Sequence, residues 1–195
     1  VCSPLVLTWI MVEIPMLLIF PPASNVETEE KPHIVFVLDT TGSMSTSLSA
    51  CKNAIRSTAK LFGILNVRIQ FVMYGDYDIK PKGGRPPQMS DVITVIKGSN
   101  IDELLIKLNL YKISQNGNGG DAAEALSTAW NVARNLCIEG GITIVITDAM
   151  PHISEGESWE SKKEFGALLG LGLSTNLHAM IMEDAKQNNF NIAFI

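Results

Sequence analysis

A chain of 195 residues with 46% hydrophobic content can bury one sizeable core, which excludes a disordered chain and favours a single domain with some extra sequence. A net charge of −5, a pI near 5.2 and fifteen scattered Lys and Arg residues leave no basic footprint, so nucleic acid is not an expected partner. Cys2, Cys51 and Cys137 form no CxxC and no regular spacing, which excludes a zinc site or a disulfide framework of the usual pattern; Cys51 and Cys137 fall on apolar helix faces and read as buried thiols, pointing to a reducing, cytoplasmic compartment.

Residues 1–20 are mostly apolar but contain Pro4, Glu13 and Pro15, and no basic residue precedes the apolar run. A secretory signal needs a basic start and a clean apolar centre, and a membrane span needs ~20 uninterrupted apolar residues. Neither pattern fits well. Membrane association stays open, and the location becomes secreted or extracellular if this stretch acts as a signal segment; the initial Val1 also suits a fragment boundary. Pro21-Pro22-Ala23-Ser24-Asn25 and the acidic run up to Lys31 shift to linker composition. The expected organisation is an apolar segment and linker over residues 1–32 and one domain over residues 33–195.

The apolar run 33–38 predicts the first strand, followed by a helix that buries Leu48, Cys51, Ile55, Ala59 and Phe62 on one stripe. Residues 67–74 read as a second strand, and the Gly- and Pro-rich stretch 75–87 as an exposed loop. A short strand over 92–96, antiparallel at a sheet edge, precedes a helix over 100–110 with Leu104, Leu105 and Leu108 inward. The glycine-rich loop 116–121 hands over to a helix carrying Ala122, Leu126, Ala129, Ala133 and Leu136, which Gly140-Gly141 ends. The β-branched run 142–146 predicts a central strand. Beyond a loop over 150–158, helices are expected over 162–169 and 174–186 and a last strand over 191–195, with a closing helix still to come. Strands alternating with helices give an α/β class, doubly wound, with a mostly parallel central sheet and helices on both faces.

Chemistry concentrates where the first strand ends, at Asp39-Thr40-Thr41-Gly42-Ser43. Asp39, Thr41 and Ser43 at i, i+2 and i+4 let a tight strand-to-helix loop aim one carboxylate and two hydroxyls at a single point. Such hard oxygen donors suit Mg²⁺, Mn²⁺ or Ca²⁺, whereas zinc and copper prefer His and Cys. The bland alternative is a helix N-cap loop, since Asp, Ser and Thr all satisfy free N–H groups at helix starts. Asp148, directly after the strand 142–146, and Asp121, on the glycine-rich loop, bring two further acids to the sheet edge where α/β proteins collect ligands.

This pattern resembles the metal-ion-dependent adhesion site of von Willebrand factor A domains, which combines D-x-S-x-S after the first strand, a Thr or Asp on a later loop and an Asp after the fourth strand. The matching positions are Asp39, Thr41 (in place of the middle serine) and Ser43, then Asp121, then Asp148. Gly119-Gly120-Asp121-Ala122-Ala123-Glu124 and Phe71-Val72-Met73-Tyr74-Gly75-Asp76 are similar to stretches of the branch found beside alpha-type kinase domains and of hemicentin-type proteins. Ala123 stands where that branch has proline, and Gly75 where it has arginine.

The resemblance implies a Rossmann-like domain over residues 33–195, incomplete at its C-terminal end, that holds Mg²⁺, or Mn²⁺ or Ca²⁺, through Asp39, Thr41, Ser43, Asp121 and Asp148. It implies a protein-interaction module without catalysis of its own, or the regulatory part of a larger protein such as an alpha-type kinase. The partner would complete the metal shell with an acidic side chain. Three carboxylates around one divalent cation leave a formal charge of about −1, which holds the metal firmly and weakens its pull on that incoming acid. The competing reading is an Mg²⁺-dependent phosphoryl-transfer enzyme of the aspartyl-phosphate type with Asp39 as nucleophile. That chemistry also needs a Gly-Asp pair with a second acid, which Thr147-Asp148-Ala149 lacks. His33 and His152 flank the sheet edge, His33 at its far end and His152 on a solvated loop.

Overall fold

Every residue of the first strand, His33–Asp39, is buried, so both of its faces must be covered and its side chains divide into two apolar sets. The computed structural model describes residues 33–77, 87–113, 115–116, 123–148, 150–151 and 177–195. Its elements run β1 (His33–Asp39), a 3-10 turn (Gly42–Met44), α1 (Ser45–Ile64), β2 (Arg68–Tyr74), α2 (Met89–Val92), β3 (Ile93–Ile96), α3 (Ile101–Leu110), β4 (Ala123–Glu124), α4 (Leu126–Arg134), β5 (Ile142–Ile146), β6 (Met150–Pro151), α5 (Leu177–Gln187) and β7 (Asn191–Phe194).

Ile34, Phe36 and Leu38 point to one face of the sheet, where they pack with Leu48, Cys51, Ile55 and Phe62 of α1 and Leu104 and Leu108 of α3. Val35 and Val37 point to the other, against Leu126, Ala129, Trp130 and Ala133 of α4 and Met180, Ile181 and Ala185 of α5. On the first face, Phe36 stacks on its cross-strand neighbour Phe71 with ring centroids 5.2 Å apart. α1 ends where Asn66 takes a left-handed φ of 54°, a conformation that asparagine tolerates better than most residues. α3 starts on Asn100, whose side chain accepts from the Glu103 N–H at 2.9 Å.

Among the described residues the main sheet has five strands in the order β3-β2-β1-β5-β7, and β4 and β6 form a separate two-stranded pair. β1 runs parallel to β2 and to β5, β5 runs parallel to β7, and β3 is antiparallel to β2 at the edge. The expected α/β class is found, with a sheet that is mixed. Strand order reverses at β1, because the chain continues to β2 on one side and later fills β5 on the other.

Local boundaries differ from the sequence reading at two places. Residues 89–92 form one helical turn before β3, closed by a capping box between Gln88 and Asp91, so the edge strand starts at Ile93. The helix expected from Ala122 starts at Leu126, because Ala123 and Glu124 pair with Met150 and Pro151. Leu136 lies past the end of α4 yet still packs against the second core. The expected N-terminal segment and linker, the helix over 162–169 and His152 lie outside the described residues. Among the described residues no helix is long and apolar enough to cross a membrane.

α4 and α5 are tied by one buried carboxylate. Asp184 accepts from Trp130 Nε1 at 2.8 Å, from Arg134 Nε at 2.9 Å and from an Arg134 terminal nitrogen at 2.8 Å. Trp130 and Arg134 sit four residues apart on one face of α4, so one acid on α5 meets both. Removing it leaves a buried indole N–H and a guanidinium without their acceptor. Asp184→Ala should cost about 3 kcal/mol in urea unfolding, near the low end for a broken buried pair because Arg134 can turn towards water. A loss below about 1 kcal/mol would mean that the two helices are held by apolar contact alone.

Candidate metal centre

Parallel pairing places the carboxyl ends of β1 and β5 side by side, with Leu38 opposite Ile146 as the last matched pair. One residue further on are Asp39 and Thr147, and next along the second chain is Asp148. This is the point where strand order reverses, the position at which α/β sheets open a crevice. Asp39 and Thr41 are fully buried, whereas Ser43 and Asp148 are exposed, so the group runs from the core to the surface.

Four side chains there form a continuous chain of oxygens. Thr41 Oγ1 donates to Asp39 Oδ1 at 2.7 Å, Thr41 Oγ1 and Ser43 Oγ approach to 3.2 Å, and Ser43 Oγ donates to Asp148 Oδ1 at 2.9 Å. Asp39 Oδ1 also accepts the Thr41 N–H at 3.0 Å, and Asp39 Oδ2 accepts from Thr147 Oγ1 at 2.8 Å. No side chain caps the 3-10 turn or α1, so these hydroxyls are not engaged as helix caps.

Counting protons shows what this arrangement lacks. Each hydroxyl carries one proton and an ionised carboxylate carries none, so two protons serve three oxygen–oxygen contacts. The charge-assisted bonds to the two carboxylates are the stronger ones. Either hydroxyl can donate across the 3.2 Å contact between Thr41 and Ser43, so with both acids ionised two protons are shared among three contacts. Two carboxylates and two hydroxyls in one continuous group are a donor set that fits a hard divalent cation.

Burial pushes the Asp39 carboxyl above the ordinary carboxylate range; the hydrogen bonds from Thr41 and Thr147 oppose the rise, and the nearby charge of Asp148 adds to it. Behind the site, Thr40 N and Thr40 Oγ1 both donate to Tyr74 O, at 2.8 and 2.7 Å. The Tyr111 hydroxyl lies 3.0 Å from Thr40 Oγ1, and burial pushes it up to about 12, so it keeps its proton.

Of the five residues that the sequence singled out, the structure joins Asp39, Thr41, Ser43 and Asp148; Asp121 lies outside the described residues. Among the described residues no three His, Cys, Asp or Glu side chains cluster, which leaves two carboxylates and two hydroxyls as the described donors. Sequence reasoning missed Thr147, Thr40 and Tyr111. Thr147 was within reach, since any side chain following a strand parallel to β1 arrives beside Asp39.

No protein-family model matches the chain. It is 30% identical over 141 residues to a protein of Acanthamoeba polyphaga mimivirus that carries the name ariadne-like RING finger protein; the match covers 70% of this chain and spans 13% of that protein's length. A solved structure of the pilus adhesin SpaC from Lactobacillus rhamnosus GG, in its open conformation, matches 66% of this chain and 16% of that one, with a TM-score of 0.43 at 16% identity.

The state of Asp39 sets a pH dependence. Because the folded chain raises its pKa, it holds the proton more tightly than the unfolded chain does. Stability is therefore full below the ordinary carboxylate range and declines as pH rises through the raised value. Asp39→Asn, which keeps most of the hydrogen bonds without the charge, should melt higher than the parent at pH 7 in the presence of a chelator, and the gap should close on acidification. A parent that melts higher than this variant at neutral pH would show that the donors around Asp39 outweigh its burial.

Proposed function

We propose that residues 33–195 form a von Willebrand factor A-like domain, doubly wound with a mostly parallel sheet, whose adhesion-type site binds Mg²⁺, or Mn²⁺ or Ca²⁺, and serves protein–protein interaction. Asp39, Thr41, Ser43 and Asp148 would hold the cation, with Asp121 reaching it from the glycine-rich loop. The observation that carries the reading is the continuous chain of oxygens from Asp39 through Thr41 and Ser43 to Asp148. When bound, the cation supplies positive charge at the exposed end of that chain. An acidic side chain of a partner protein would bind there and complete the shell. The mimivirus protein, in which the similar stretch is 13% of the length, is an instance of such a sequence set within a larger protein.

This module has no catalysis of its own in our reading. Phosphoryl transfer of the aspartyl-phosphate type needs a Gly-Asp pair with a second acid, which Thr147-Asp148-Ala149 lacks. Calorimetric titration with Mg²⁺ and Mn²⁺ should give one site in the parent and none in Asp39→Ala, with the variant still folded by circular dichroism. Equal affinity in the two proteins would remove the metal site. Incubation with acetyl phosphate and Mg²⁺ should leave no hydroxylamine-sensitive adduct on Asp39, and an adduct found by mass spectrometry would put phosphoryl transfer in its place.

A further inference from the structure

The peptide of Thr40 sits between two of the ligands, so whatever fixes Thr40 fixes the angle at which Asp39 and Thr41 are presented. The β1–β2 register ends at Asp39 opposite Tyr74. Thr40 extends it by one residue through the two bonds that its N–H and hydroxyl make to Tyr74 O, at 2.8 and 2.7 Å. Since the Thr40 hydroxyl proton is directed at that carbonyl, the 3.0 Å contact with Tyr111 is one in which Tyr111 donates and Thr40 Oγ1 accepts. Thr40 is fully buried and Tyr111 nearly so, so water does not compete for this bond.

Tyr111 is itself held from two sides. Its N–H donates to Lys107 O at 3.2 Å, ending α3, and its carbonyl accepts from Lys52 Nζ of α1 at 2.7 Å. The hydroxyl thus reaches the ligand loop from a residue 71 positions away in sequence, anchored to both helices on that face of the sheet.

We propose that Tyr111 is a positioning residue for the metal loop, and that its hydroxyl, acting through Thr40, sets the preference of the site for Mg²⁺ over Ca²⁺. The inference rests on the metal reading above. Mg²⁺ demands near-ideal octahedral geometry at short distances, whereas Ca²⁺ accepts looser and longer coordination. A loop released from Tyr111 loses Mg²⁺ affinity first.

The test measures Mg²⁺ and Ca²⁺ affinity by calorimetry on the full chain for the parent, Tyr111→Phe, Thr40→Val and Thr40→Ser. Tyr111→Phe should lose about tenfold in Mg²⁺ affinity, as outer-shell changes do, and less than about threefold in Ca²⁺ affinity, given the tolerance of that ion. Thr40→Val removes the same bond together with the Thr40 hydroxyl's bond to Tyr74 O and should shift the ratio the same way and at least as far; a double variant should be no worse than Thr40→Val alone, and Thr40→Ser should keep the parent ratio. A purely structural role lowers the melting temperature and leaves the Mg²⁺ to Ca²⁺ ratio where it was. An unchanged ratio in both Tyr111→Phe and Thr40→Val overturns the positioning role while the metal site stands. A parent that binds neither ion overturns the metal reading and this inference with it.

Discussion

A strand buried on both faces and paired in parallel on both edges can release its chain only at its carboxyl end, and the structure is organised around how β1 does so. β2 on one side and β5 on the other cover its edges, and four helices cover its faces. Its last residue, Asp39, is charged and still buried. The chain must turn there, supply that carboxylate with donors and start a helix within five residues. Thr41 and Thr147 supply the donors, and Thr40 closes the last backbone link to β2. The register of the parallel sheet makes this possible, since it brings Thr147 level with Asp39, and Asp148 one residue beyond, without any local contact in sequence.

The same constraint has an electrostatic consequence. A carboxylate pulled into the sheet edge loses its hydration, and a second carboxylate nearby opposes its ionisation further. Hydroxyls relieve part of this by directing protons at the acids, so that two hydroxyl protons serve three oxygen contacts. A proton or a cation can make up the difference. Under the proposed reading, a divalent cation takes that role at neutral pH. In the proposed function, the exposed end at Ser43 and Asp148 is where a protein partner would reach a bound cation.

Much of this was legible in the sequence for identifiable reasons. Buried strands betray themselves through β-branched and aromatic density, which is why β1, β2 and β5 were placed within a residue or so. The i, i+2, i+4 oxygens at Asp39, Thr41 and Ser43, together with Asp148 after β5, were legible because parallel strands share an end. Less visible were features that depend on distant pairing. The start of α4 moved to Leu126 because Ala123 and Glu124 pair with Met150 and Pro151, which no local pattern announces. Val92 was read as the first residue of the edge strand, and it instead ends a helical turn closed by a capping box between Gln88 and Asp91. Tyr111 looked like any aromatic after a helix, and its link to the loop is visible only from where its hydroxyl lands.

The central claim is that the four-oxygen chain at the end of β1 is a cation site, and an anomalous difference map from crystals soaked in Mn²⁺ tests it most directly. The account predicts a single strong peak enclosed by Asp39, Thr41, Ser43 and Asp148, with the two hydroxyl oxygens both turned towards it. Full Mn²⁺ exposure that leaves this position empty and the Thr41–Ser43 contact unchanged, or that places manganese elsewhere on the molecule, would contradict it.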